Sequence, residues 1–456
     1  MPKIKRFSRY QQELPLINIQ DKIQLLYKRF DASDLGKMYK ALPVEEIVKK
    51  FKLKQNRKGR DATFTPAGKI RLEFLKCYTG FSDKRLAEEI ISNINYQIFC
   101  DVSIPLETIK IDYKLISKIR VELSKKINRK EIQQILFKKW SPYIKNKDIC
   151  LLDATCYESY ISQPSNVKLL FRSVCWMDTS IENSSKSSNL KRCRYKREVL
   201  RVYKLYSKKR QKRIKETKKI TRRLLYILKK LLLEHRDLIK FGIYKKAITN
   251  RKSSRISTIT KILDQQYKIF GGEKVKDKIL SIEKDYIHTI IRGKEKKPYE
   301  YGAKVHMLQI DGLNFIEDLN FSANNECTRM LSSLSYHKNL TGKKPKFIAG
   351  DRIYATNRNR KITKKLGIST NFIPKGKKSK NEKEMKILRQ ELNKERNTRL
   401  EGSFGTEKEY YGDKRIKART KLTEEYQILV KIHCRNLLLI GKRMSKSPPE
   451  SISIAC

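Results

Sequence analysis

The chain has 456 residues, with 105 Lys and Arg against 48 Asp and Glu, a formal net charge of +57. That length suits two or three domains around a sizeable core, and normal aromatic content excludes wholesale disorder. So large a positive surplus calls for a polyanionic partner, with nucleic acid first, because phosphate contacts release condensed counterions. Default surface lysine accounts for part of the surplus but not for its clustering.

The nine Cys contain no CxxC pair, and several lie in apolar runs. They read as reduced, buried thiols of a cytosolic protein, and with five isolated His they argue against zinc. The opening MPKIKRFSRY lacks a signal-peptide core, and no stretch of about eighteen apolar residues is present to span a membrane. The expectation is a soluble, intracellular protein.

In chain order, residues 1–140 read as an all-helical domain, with 54–65 a basic, turn-rich link. Over 80–102, Ser82 or Asp83 can cap a helix carrying Leu86, Ile90 and Ile91. Near residue 147 the texture changes. The run Ile149-Cys150-Leu151-Leu152 ends at Asp153, as a buried strand does when it delivers a carboxylate at its C-terminal end.

From 165 to 297 there is no proline, and residues 191–240 hold 21 Lys and Arg against four Asp and Glu. The pattern predicts long cationic amphipathic helices, either a DNA-facing arm or a solvated helical hairpin. Next, 303–310 and 313–319 alternate around Asp311-Gly312, a hairpin signal in which Asp311 is a turn residue. Residues 346–349 read as a strand ending at Asp351, 356–366 as a basic helix, and 371–373 as a last strand. After a cationic turn at 375–380 comes the helix carrying Glu401. An amphipathic helix over 423–442 closes the chain, and 444–456 read as a disordered tail. The fold class is therefore α/β: a mixed sheet with helices packed on it, interrupted by a helical insertion at about 178–297.

Asp153, Asp351 and Glu401 are three carboxylates on separate elements of a cationic chain. Phosphodiester chemistry needs a positioned oxygen nucleophile and relief of phosphoryl charge, and two divalent metals held by such carboxylates supply both. On an α-helix, positions seven apart lie within about 20° of each other. Lys394, Glu401 and Lys408 are then expected on one stripe, a carboxylate between two phosphate-binding ammonium groups. Gly402 and Gly405 beside it are either sites of close approach or a break in the helix.

Asp153-Ala154-Thr155, Gly302-Ala303-Lys304-Val305, Gly350-Asp351-Arg352-x-Tyr354 and Arg396-Asn397-x-x-x-Glu401-Gly402-x-Phe404-Gly405 together resemble the DDE transposases of bacterial insertion sequences. Residues 80–102 resemble their helical N-terminal domain. The resemblance implies a ribonuclease-H-like catalytic domain over 141–443 and a DNA-binding domain over 1–140. It implies metal-dependent cleavage at the element's ends and transfer of a 3′-hydroxyl to target DNA. Asp153, Asp351 and Glu401 would be the catalytic triad holding two Mg²⁺, with Mn²⁺ able to substitute. Lys408 matches the basic residue that contacts DNA-end phosphate. Where the related signature has Tyr and Arg seven and four residues before the Glu, this chain has Lys394 and Asn397, with Arg396 one position off as a substitute. Arg352 adds a fourth cation for DNA. Implied partners are terminal inverted repeats, target DNA and a second copy in a homodimeric synaptic complex; the implied location is the bacterial cytoplasm at the nucleoid. A catalytically inactive DNA-binding derivative and a structure-selective nuclease are the alternatives.

Overall fold

The computed structural model describes residues 19–54, 62–185, 195–241, 249–291, 298–376, 381–411 and 414–446. The chain forms two compact units, residues 1–145 with 430–456 and residues 146–429.

The first unit is helical, as its periodicity predicts. Its helices are Ile19–Ala32, Asp34–Ala41, Val44–Lys50, Pro66–Thr79, Asp83–Ser92, Ile94–Phe99, Lys114–Lys126 and Arg129–Trp140. Starts are set by side-chain caps: Ser33, Thr65, Ser82, Asn93 and Asn128 each accept from a backbone N–H of the first turn. Phe30, Met38, Ile47, Leu72, Phe74 and Trp140 are buried in its core, and Trp140 Nε1 donates to the Ala41 carbonyl at 2.8 Å. The end of helix Lys421–Lys446 packs here as well. At Gly441 a Cβ would lie 2.7 Å from the Lys37 carbonyl oxygen, so this close approach admits only glycine.

The second unit holds strands β1 (Ile149–Glu158), β2 (Thr289–Ile291), β3 (Tyr299–Ile310), β4 (Leu313–Asn320), β5 (Phe347–Gly350) and β6 (Ser369–Thr370). The order is β2-β3-β1-β5-β6, with β4 also on β3. β1, β2 and β4 pair antiparallel to β3, while β1–β5 and β5–β6 are parallel. The β3–β4 hairpin is the expected one. Ile310 pairs with Leu313 across two residues at positive φ, Asp311 at 47° and Gly312 at 83°, matching the twist of the strands. Between β1 and β2, helices Asn166–Ser185, Tyr195–Lys208, Ile214–Lys240 and Asn250–Phe270 share an apolar core of their own, built on residues such as Leu170, Met177, Leu228 and Ile259.

Two expectations need correcting. Asp153 is not at the end of its strand: β1 runs on to Glu158 because residues 302–306 of β3 continue to pair with it. The last strand is Ser369–Thr370, not 371–373. The Asn371 side chain accepts from Gly350 N–H at 3.1 Å and donates to the Gly350 carbonyl at 2.8 Å, taking over the pairing a longer strand would have made. Residues 55–61, 377–380 and 447–456, parts of the expected link, turn and tail, lie outside the described residues.

Candidate active site

β1 and β5 run parallel with Leu152 opposite Gly350, so Asp153, within β1, and Asp351, just after β5, follow at the same level of the sheet. Asp351 caps the short turn Arg352–Tyr354 that follows, its Oδ1 accepting from Arg352 N–H at 2.6 Å. Tyr354 folds back over Gly350, where a Cβ would meet the ring at 2.9 Å, which accounts for glycine before the aspartate. The buried Tyr354 hydroxyl and His306 Nε2 are 2.6 Å apart, and His306 Nδ1 lies 3.1 Å from Glu317 Oε2. Arg329 completes this series on Glu317 at 2.5 Å. The turn carrying Asp351 is thus clamped to β3 and β4. Gly350→Ala is expected to cost about 1–3 kcal/mol as an overpacked site, measured by urea unfolding; unchanged stability would mean that Tyr354 moves freely.

Glu401 lies on a helix that changes register. Glu382–Glu395 is α-helical, Arg396–Glu401 is a π-helix, and Gly402–Tyr410 is α-helical again. Such a widened turn forms where a side chain enters the ladder, and here Gln309 Nε2 donates to the Arg399 carbonyl at 3.2 Å. A buried polar bed holds the helix down. Asn314 Nδ2 donates to Ser403 Oγ at 2.7 Å and to Glu407 Oε1 at 2.6 Å, and the Tyr157 hydroxyl donates to Glu407 Oε2.

The π segment takes Lys394 off the expected stripe, because the seven residues from Lys394 to Glu401 span it and no longer return to the same face. Lys394 is exposed to solvent. Lys408, seven residues after Glu401 across regular α-helix, donates from Nζ to Thr155 Oγ1 at 2.6 Å, and Thr155 shares a strand face with Asp153. Arg396 turns inward: Nη1 lies 3.1 Å from Asp153 Oδ2 and Nη2 lies 2.9 Å from Glu401 Oε1. One guanidinium therefore joins two of the three carboxylates. Arg352 is exposed beside Asp351. At Gly402 and Gly405 an added Cβ would meet nothing within 4 Å among the described residues.

Burial pushes the Asp153 carboxyl up to about 6, against the pull of the Ala154 N–H and Arg396; Glu326 and Asp351 push it further up. Glu326 is an acid that sequence reading passed over. It stands at the start of the turn Glu326–Arg329 and is paired with Lys304 at 2.6 Å.

Among the described residues, no group of three or more His, Cys, Asp or Glu side chains is close enough to hold a metal ion. The donor chemistry nonetheless suits a hard divalent cation, since all three candidates offer carboxylate oxygens. Arg396 acts as a stand-in, since it shows Asp153 and Glu401 converging on a single positive group.

Residues 348–438 match the family model described as Transposase DDE domain, which takes in Asp351 and Glu401, and residues 24–122 match Transposase domain (DUF772). No curated protein and no solved structure matches the chain. The chain thus carries transposase domains in two separate stretches, and its mixed sheet is consistent with the ribonuclease-H-like fold of DDE transposases. This is consistent with the transposases that mobilise insertion sequences, a family that implies DNA binding. No described helix is long and apolar enough to cross a membrane.

Proposed function

We propose that this transposase cuts DNA at the ends of its own element and joins the resulting 3′-hydroxyl to target DNA, with Asp153, Asp351 and Glu401 as its catalytic carboxylates. The observation that carries this reading is the meeting of Asp153 and Glu401 on one cation, with Asp351 directly after the adjoining strand. These three would hold two divalent ions, Mg²⁺ or in its place Mn²⁺, which when bound relieve phosphoryl charge and activate an oxygen nucleophile. The chain's own part is positioning. The Ala154 N–H holds Asp153 Oδ1 at 2.8 Å, and the clamped turn at Tyr354 fixes where Asp351 emerges. Lys408, Arg396, Lys394 and Arg352 are the cations for DNA-end phosphates. Inverted terminal repeats, target duplex and a second copy in a dimeric synaptic complex are the proposed partners, in the cytoplasm at the nucleoid.

The test is incubation of purified protein with duplex carrying the ends of its element and Mg²⁺. Nicked ends followed by joined product support the reading, and ends left intact with either Mg²⁺ or Mn²⁺ sink it. A DNA-binding protein without catalysis is the second reading, favoured by the ion pairs that Asp153 and Glu401 already make. Binding without cleavage would select it.

Binding is also expected to be steeply salt-dependent. Helix Asn357–Lys365 starts six residues after Asp351 and has five cations and no acid, with Arg358, Lys361 and Lys365 along one face. Changing these three to Gln should flatten the log–log salt slope by about 0.9 for each phosphate released. An unchanged slope would remove this helix from the DNA surface.

A further inference from the structure

The inward turn of Arg396 has no counterpart in the expected role of a phosphate contact. Its side chain is 13% exposed, against 50% for Glu401, so it lies in the site and not over it. Its ion-pair partners among the described residues are Asp153 and Glu401, two of the carboxylates proposed to hold metal. A guanidinium is always charged at physiological pH, and its planar fork suits two carboxylate oxygens at once. While it occupies that position, an incoming divalent cation meets a fixed positive charge and finds the two carboxylates already paired.

We propose that Arg396 is an internal counter-ion that closes the carboxylate site to divalent metal in the absence of DNA and leaves it when a DNA phosphate offers a replacement partner. This rests on the catalytic reading of Asp153 and Glu401. The exchange is chemically matched, because a phosphate accepts the same two-pronged contact that the carboxylates give up. The short-range geometry makes it feasible: Arg396 opens the π segment, while neighbouring Arg399 is held separately by Glu395 at 2.9 Å and Asp311 at 3.4 Å. The segment thus stays anchored when Arg396 swings. The consequence is order: metal and DNA bind cooperatively, and a free protein does not carry an armed metal centre.

The experiment is direct Mn²⁺ binding to the full chain without DNA, read from the electron paramagnetic resonance of free Mn²⁺. The set is wild type, Arg396→Gln, Arg396→Lys and the double variant Arg396→Gln/Glu401→Gln, with thermal unfolding to verify that each is folded. Arg396→Gln is expected to bind Mn²⁺ at least about tenfold tighter than wild type, Arg396→Lys to stay close to wild type because the charge remains, and the double variant to lose the gain. A duplex of the element's ends should tighten Mn²⁺ binding to wild type and add little to Arg396→Gln. If Arg396→Gln binds no tighter than wild type, or keeps its gain without Glu401, the counter-ion role is wrong while the carboxylate site stands. If no variant binds Mn²⁺ with or without DNA, the metal site itself is wrong and this proposal falls with it.

Discussion

Asp153→Asn, Asp351→Asn and Glu401→Gln are each expected to lower end cleavage by roughly a thousandfold or more, the scale of removing a charge-stabilising group from a reacting centre. The amides keep shape and most hydrogen bonding, so the Ala154 N–H can still bond the side chain at 153 and the cap at 351 survives. What is lost is negative charge, and with it affinity for a divalent cation. DNA affinity at fixed salt should stay within about twofold, because removing one negative charge near phosphates does not weaken phosphate contacts. The two assays run together separate the roles. A variant that cuts normally removes that residue from the site, and one that loses DNA binding in step with cleavage marks a structural residue instead.

The second large effect concerns stability. Glu424 is fully buried near the start of helix Lys421–Lys446, where Lys284 Nζ reaches it at 2.9 Å, Tyr286 Oη at 2.7 Å, and Ser159 Oγ also donates to it. Lys284 is itself buried at 5% exposure. Glu424→Ala would leave that ammonium without its counter-charge, which costs about 3–5 kcal/mol. Replacing both partners together, Glu424→Leu with Lys284→Met, should cost far less, since no charge then remains to be buried. Urea unfolding followed by a probe in residues 146–429 reads the difference. If the single and double variants are equally destabilised, packing and not the ion pair holds this region. Because Ser159 directly follows β1, the strand that carries Asp153, the single variant should also reduce cleavage.

Much of the fold could be read locally. The Asp311-Gly312 hairpin, the strand before Asp351, the Ser82 cap and the cationic helices all follow from short-range chemistry: two-residue turns, apolar runs and caps act over a few positions. The choice of carboxylates rests on local chemistry too, since a hard metal needs oxygen ligands and the chain sets three acids in motifs among its cations, and the cleavage assay is what tests it. The reading erred where a distant partner intervened. β1 continues past Asp153 because β3, some 150 residues away, pairs with it, and the strand expected at 371–373 gives way to an Asn371 side chain bonded to Gly350.

The helix of Glu401 shows the division most clearly. Its sequence determined that a cationic helix would present that carboxylate, since side-chain types and spacing are properties of the segment itself. Its register could not be determined there. The π segment depends on Gln309 entering the ladder from the sheet, and the inward turn of Arg396 depends on Asp153, 243 residues earlier in the chain. Hydrogen bonds and ion pairs are decided by which groups are brought within about 3 Å, and that is set by how the elements pack and not by the order of residues along any one of them.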